Sequence, residues 1–191
     1  MRIIGGNHRS RRIQPPQGTE TTRPITDRVK VALFDRLDAA GLVEEGYALD
    51  LFCGTGSLGL EALSRGSEHC TFIESHRGVR EILESNIHLL GLEAQSRVMS
   101  ANALATAWIA MLPHKPLRIV FCDPPYSLME DERTRGQMMT LIAALLPDLE
   151  PGGVVMLRTP TEVTPDAVEG YMDMKRHEYG SMALHFYQKP L

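Results

Sequence analysis

The stretch "LDLFCGTGSLGLEAL", Leu49 to Leu63, constrains the fold more than any other part of the chain. An apolar, strand-like run passes into a loop holding Gly54, Gly56 and Gly59, and the loop passes into a helical pattern. Strand, glycine-rich turn and helix in that order open a parallel sheet that binds ligands beyond the carboxyl ends of its strands. The alternation continues downstream. After "YALDLF", the run "CTFIE" reads as a strand and "RGVREILESNIHLLG" as a helix, then a short strand near "RVMS" and a helix over "LATAWIAML". "LRIVFCD" is a strand, "TRGQMMTLIAALL" a helix, "GGVVMLRT" a strand, and "MKRHEYGSMALHFYQK" fits a closing antiparallel pair. Strands alternating with helices predict an α/β fold, a mostly parallel sheet covered on both faces.

Upstream, "RIIGG" and "RRIQPP" read as short strand-like pieces around a basic turn, a β-hairpin or arm, followed by a polar linker. In "RPITDRVKVALFDRLDAAG", Thr26 or Asp27 caps a helix with Val29, Leu33, Phe34 and Leu37 on one face, and Gly41 stops it. At 191 residues one globular domain is expected, so residues 1–25 are assigned to a basic arm and 26–191 to the domain. Residues 1–36 carry eight Arg or Lys against three acids, a net of +5 that leaves −9 for the rest of a chain totalling −4. A basic arm on an acidic body favours a polyanionic partner. No apolar stretch exceeds strand length and the start lacks a signal-peptide core, so a cytoplasmic protein that spans no membrane is expected. Cys53, Cys70 and Cys122 lack CxxC spacing and even number, which argues against disulfides and zinc, and no metal-ligand cluster stands out.

Gly54, Gly56 and Gly59 match G-x-G-x-x-G, and Glu74 ends the next strand, where a carboxylate accepts from two ribose hydroxyls. By pattern alone this is equally a nicotinamide-dinucleotide site. Asp50 shifts the balance. It lies four residues before Gly54, and a carboxylate there repels a pyrophosphate but attracts an ammonium or sulfonium. S-adenosyl-L-methionine carries both cations and no phosphate, and the helix start beyond Gly56 suits its carboxylate.

"CDPPY", residues 122 to 126, ends a strand at the same sheet edge. Prolines fix φ and push preceding residues into extended geometry, so Asp123 and the Pro124 carbonyl become stiff, adjacent acceptors for an NH₂ group. The exocyclic amine of a nucleobase is a poor nucleophile because its lone pair is delocalised. Accepting its N–H protons frees that lone pair, and Asp123 compensates the charge that develops. Tyr126 offers a stacking face worth about 1–3 kcal/mol.

These residues look like the DPPY group of S-adenosyl-L-methionine-dependent amino-methyltransferases. "RIIGGNHRSRRI", "RPITDRVKVALFDRL" and "GLEALSRG" further resemble the RsmD family, bacterial guanine-N2 methyltransferases of 16S ribosomal RNA. The resemblance implies a Rossmann-like class I methyltransferase with a seven-stranded sheet and its last strand antiparallel. It assigns Asp50, Phe52, Gly54 and Gly56 to the methionine end of the cofactor, Glu74 to the ribose, and Asn102 with Ala103 to the adenine. Asp123, Pro124, Pro125 and Tyr126 take the target base. Arg2, Gly5, Gly6, Arg9, Arg11, Arg12, Arg23, Thr26, Asp27 and Arg28 take the RNA, as part of the small ribosomal subunit, and the enzyme is expected to act as a monomer. Asn102 departs from the acid common in methyltransferases, and Ile25 from a family threonine. A DNA adenine-N6 methyltransferase is the nearest alternative, since the same motif suits any exocyclic amine, although no DNA-recognition domain is visible. A non-catalytic RNA-binding assembly factor stands behind it.

Overall fold

Each strand of the predicted alternation forms; the inner strands are apolar runs buried on both faces, whereas the first and last strands of the sheet are only partly covered. A computed structural model describes residues 1–16, 25–172 and 174–191. The strands are β1 (Tyr47–Leu51), β2 (His69–Ile73), β3 (Ser96–Met99), β4 (Leu117–Cys122), β5 (Leu149–Pro160), β6 (Lys175–Tyr179) and β7 (Met182–Gln188). They form one sheet in the order β3-β2-β1-β4-β5-β7-β6. The pairs from β3 to β5 are parallel, and β7 runs antiparallel to both β5 and β6. The order reverses between β1 and β4, where Leu51 pairs with Cys122. The chain leaving each strand therefore emerges side by side at the carboxyl edge, where open α/β sheets bind ligands.

Helices α1 (Asp27–Ala39), α2 (Gly59–Arg65), α3 (Arg77–Leu90), α4 (Tyr126–Glu130) and α5 (Glu132–Leu145) cover the sheet. Alternation along β4 divides the core: Ile119 and Phe121 pack with Leu33, Leu60 and Leu83, while Val120 and Cys122 pack with Met138, Leu141 and Trp108. Of the two candidate caps for α1, Thr26 serves, its Oγ1 accepting the Val29 N–H at 3.4 Å. The helix expected over residues 104–112 is instead a 3-10 helix, Thr106–Met111, because Pro113 disfavours α geometry just before it. Helix α4 was not foreseen; it begins immediately after Pro125.

At the start of the chain the two pieces meet around a 3-10 turn at Gly6–His8 through one antiparallel bridge, Arg2 with Arg12, and backbone hydrogen bonds from Ile3 N–H to the Arg11 carbonyl at 2.9 Å and from Ile13 N–H to the Met1 carbonyl at 3.1 Å. These residues pack on the body of the domain. Ile3 and Ile13 are buried in the same core as α1 and α2, and polar anchors hold the backbone between them. Glu61, fully buried on α2, accepts the N–H groups of Ile4 at 2.8 Å and Gly5 at 2.7 Å. It also pairs with Lys30 Nζ at 3.0 Å and Arg65 Nε at 2.9 Å. Asn86 of α3 exchanges hydrogen bonds with the Gln14 backbone at 2.7 and 3.1 Å.

Candidate active site

The loop after β1 is wound tightly. Phe52 has φ 55, left-handed for a residue that bears a side chain, and Gly54 and Gly56 follow at φ 55 and 88. Strain of this kind at a non-glycine residue persists where surrounding contacts enforce it and clusters at ligand sites. The three glycines divide by role. A Cβ on Gly56 would stand 2.5 Å from Leu83 Cδ1, and one on Gly59 would stand 2.4 Å from Phe72 Cε1, so both let the loop and α2 lie close on the core. A Cβ on Gly54 would meet nothing within 4 Å. Gly54 borders open space.

Two carboxylates hold this loop. Glu74 Oε2 accepts the Gly54 N–H at 3.1 Å and Oε1 accepts that of His76 at 2.8 Å. Asp50, read from sequence as facing a ligand, is buried, and its Oδ2 accepts the Gly59 N–H at 2.8 Å, holding the start of α2. Burial pushes its carboxyl up to about 8, with the neighbouring Asp123 and Glu74 carboxylates adding to the rise against the Gly59 hydrogen bond. Asn102 is exposed and folds back on its own loop, Oδ1 accepting the Leu104 N–H at 3.1 Å. Ala103 is buried, and its carbonyl accepts the Trp108 indole N–H at 3.2 Å.

Asp123 leaves β4 next to this loop, its N–H donating to the Leu51 carbonyl at 3.4 Å. Pro124 is buried, Pro125 precedes α4 in extended geometry and Tyr126 is the first residue of that helix. Sequence reasoning missed the neighbour of this group. Cys122 pairs with Leu157 across β4 and β5, which brings the next residues, Asp123 and Arg158, together. Arg158 is buried, its Nε 2.5 Å from Asp123 Oδ1 and its guanidinium carbon 5.2 Å from the Tyr126 ring centroid. The signal was a lone cation closing the apolar run "GGVVMLRT". Burial raises the Asp123 carboxyl, and Arg158 pulls it back down.

The residues assigned to RNA are distributed differently from expectation. Gly5 and Gly6 serve approach to α2: a Cβ on Gly6 would stand 1.7 Å from the Ser64 carbonyl, and one on Gly5 2.4 Å from the Arg65 guanidinium. Gly6→Ala, at φ 68, is therefore expected to cost about 1–3 kcal/mol by strain, read as an earlier denaturant midpoint. Arg2 pairs with Asp27 at 2.9 Å, and Arg11 donates to the Leu89 carbonyl at 2.7 Å. Thr26 is the helix cap. Arg9, Arg12 and Arg28 are exposed, and Arg23 lies outside the described residues. Lys30 joins the two regions, its Nζ donating to the Arg2 carbonyl at 3.1 Å and to Ser57 Oγ in the glycine loop at 3.3 Å. Among the described residues, no group of three His, Cys, Asp or Glu is placed to hold a metal, and no helix is long and apolar enough to cross a membrane.

This strand order, with a glycine loop at the reversal point and an Asp-Pro-Pro-Tyr segment on the adjoining strand, defines a class I methyltransferase. The chain belongs to the RsmD family, whose model, described as conserved hypothetical protein 95, matches residues 1–188. Ribosomal RNA small subunit methyltransferase D of Escherichia coli is 40% identical over 126 residues, 66% of this chain and 60% of that protein. Its namesake in Haemophilus influenzae is 30% identical over 192 residues, 98% of this chain and 93% of that one. Among solved structures, a hypothetical protein of Thermus thermophilus superposes with a TM-score of 0.75 at 26% identity, covering 100% of this chain and 99% of that one.

Proposed function

We propose that this chain transfers a methyl group from S-adenosyl-L-methionine to the exocyclic N2 amine of a guanine in small-subunit ribosomal RNA. The observation that carries the reading is Asp123, followed by two prolines and bonded through its N–H to Leu51, where the loop carrying Gly54 begins, in a chain whose relatives are named for ribosomal RNA methylation.

The residues present fit that cofactor. Asp50, Glu74 and Asp123 gather three carboxyl groups at one edge, and the first is raised by burial and, to a lesser degree, by the other two, an environment that a cationic ligand relieves. Bound there, S-adenosyl-L-methionine supplies a methyl group on an electron-deficient sulfonium. Gly54 leaves room for the methionine end, Phe52 walls it, and Asp50 keeps α2 and the Gly56 turn in register beneath it. Glu74 would hold the ribose, and Asn102 and Ala103 would border the adenine. Asp123 and the Pro124 carbonyl accept the two N–H groups of the guanine amine, which aims its lone pair at the methyl. Nitrogen would gain its bond to carbon as the methyl carbon–sulfur bond breaks to leave a neutral thioether, and the nitrogen would give up a proton, for which Asp123, raised by burial, is a competent acceptor. Tyr126 stacks on the base.

The exposed cations Arg9, Arg12 and Arg28 contact phosphates. Replacing all three by Ala is expected to weaken RNA binding and to flatten the plot of log affinity against log salt by roughly 0.7–0.9 per lost contact; a filter-binding series that shows an unchanged slope rejects this surface. The test of the function itself incubates the protein with labelled S-adenosyl-L-methionine and unmodified small subunits, naked ribosomal RNA or duplex DNA, followed by nucleoside analysis. N2-methylguanosine from the ribosomal substrates is expected. Label confined to methyladenine in DNA overturns the reading.

A further inference from the structure

Near its carboxyl end, strand β5 carries a cation that the local pattern does not call for. Arg158 closes an apolar run and is 2% exposed, and a guanidinium so enclosed is tolerated only through what it touches. Two of its neighbours are groups assigned above to the target base, the Asp123 carboxylate and the Tyr126 ring. Resting on the methyl-transfer reading, we propose that Arg158 is a positioning residue: it holds one oxygen of Asp123 and fixes the ring of Tyr126 beside it, so that the other oxygen meets the nucleobase.

The geometry divides Asp123 in this way. Oδ1, nearest Arg158, is closed to water, yet the side chain keeps 19% of its surface open. Because Oδ1 is closed, Oδ2 is the oxygen that the proposal leaves for an amino group. Protonation would undo the arrangement, since a neutral carboxylic acid presents an O–H donor where an acceptor is needed. Burial drives Asp123 towards that form, and the Arg158 guanidinium opposes it. Of the other titratable groups at this edge, Asp50 from β1 and Glu74 after β2 are acids that lend no help, and Lys30 acts on Asp50, leaving Arg158 as the cation that acts on Asp123. A guanidinium also suits the second contact, because its flat face lies against an aromatic ring as an ammonium cannot.

The experiment measures single-turnover methyl transfer to ribosomal RNA between about pH 5.5 and 9 for the unaltered protein, Arg158→Ala and Arg158→Lys, with cofactor affinity by calorimetry. Arg158→Ala is expected to lower the maximal rate near neutral pH by about 10²-fold. Loss of the cation raises the Asp123 carboxyl further, so the acidic limb of the profile moves to higher pH by roughly one to two units. Arg158→Lys restores the limb but leaves the RNA concentration for half-saturation several-fold higher, the expected result of losing the flat contact with Tyr126. Cofactor affinity should stay within about threefold for both variants. A uniform loss with an unmoved limb, or loss of cofactor binding together with activity, makes Arg158 structural and overturns the inference. If the unaltered protein methylates RNA and Arg158→Ala matches it, this inference alone falls; if the unaltered protein methylates no RNA, the reading it rests on falls with it.

Discussion

Asp123→Ala is expected to remove methyl transfer, by at least about a thousandfold, while cofactor affinity remains within about threefold of the unaltered value. The size follows from what the carboxylate does. It is the one anionic acceptor at the end of β4, and Pro124 and Pro125 cannot swing another into its place. The cofactor's methionine end, in contrast, is assigned to the loop from Phe52 to Gly56, whose conformation rests on Asp50 and Glu74. The truncation strips Arg158 of its counter-charge, so Asp123→Asn belongs beside it: the amide keeps the volume and one acceptor oxygen, and folding is disturbed less. Rapid-quench transfer, calorimetric titration with cofactor and thermal unfolding decide the matter together. If both variants lose cofactor binding as well as transfer, Asp123 is a structural residue and the proposed chemistry is wrong.

Glu61→Ala carries the largest expected effect on stability. Glu61 is fully buried and gathers Lys30, Arg65 and the backbone N–H groups of Ile4 and Gly5. Among the described residues, its removal leaves two backbone donors without an acceptor, Lys30 with only the Arg2 carbonyl and Ser57, and Arg65 with only Asp38, a loss of about 3–5 kcal/mol by comparison with other broken buried pairs. For a chain of this length that corresponds to a midpoint lower by roughly 10–15 °C. Lys30, whose ammonium is already pulled down by burial against the attraction of Glu61, would then lose its proton more readily, so the variant should be least stable in acid, where Lys30 must charge. Thermal unfolding across a pH series reads both effects. A drop below about 1 kcal/mol would mean that water replaces the carboxylate and that the cluster is not what holds the first residues down.

The sheet was legible because its signals are local: apolar runs of strand length, glycines at the turns and one unbroken alternation. The site was legible in part for the same reason, since "DLFCGTG" and "CDPPY" are each contiguous. What escaped depended on contacts between residues far apart in the chain. Arg158 reaches Asp123 through the β4–β5 register, which no pattern within either strand announces. Gly5 and Gly6 invited a ligand-facing reading because glycine permits any close approach; only the position of Ser64 and Arg65 shows that the neighbour is α2. Asp50 likewise sits where a ligand carboxylate should sit, yet its hydrogen bond goes to the backbone of Gly59, nine residues later. The charge of the first segment was plain, and the isoleucines at positions 3 and 13 that bury it were read as strand rather than as core.

The two outermost strands also bear on how the molecule meets copies of itself. β3 is a short strand of four residues carrying an exposed Arg97, and β6 reads Lys-Arg-His-Glu-Tyr. An incoming backbone would have to align with these side chains and desolvate them, which discourages growth of the sheet by strand addition. Crowded or partly heated samples should therefore resist fibre-like stacking from either flank, and any self-association would have to run through the helical faces.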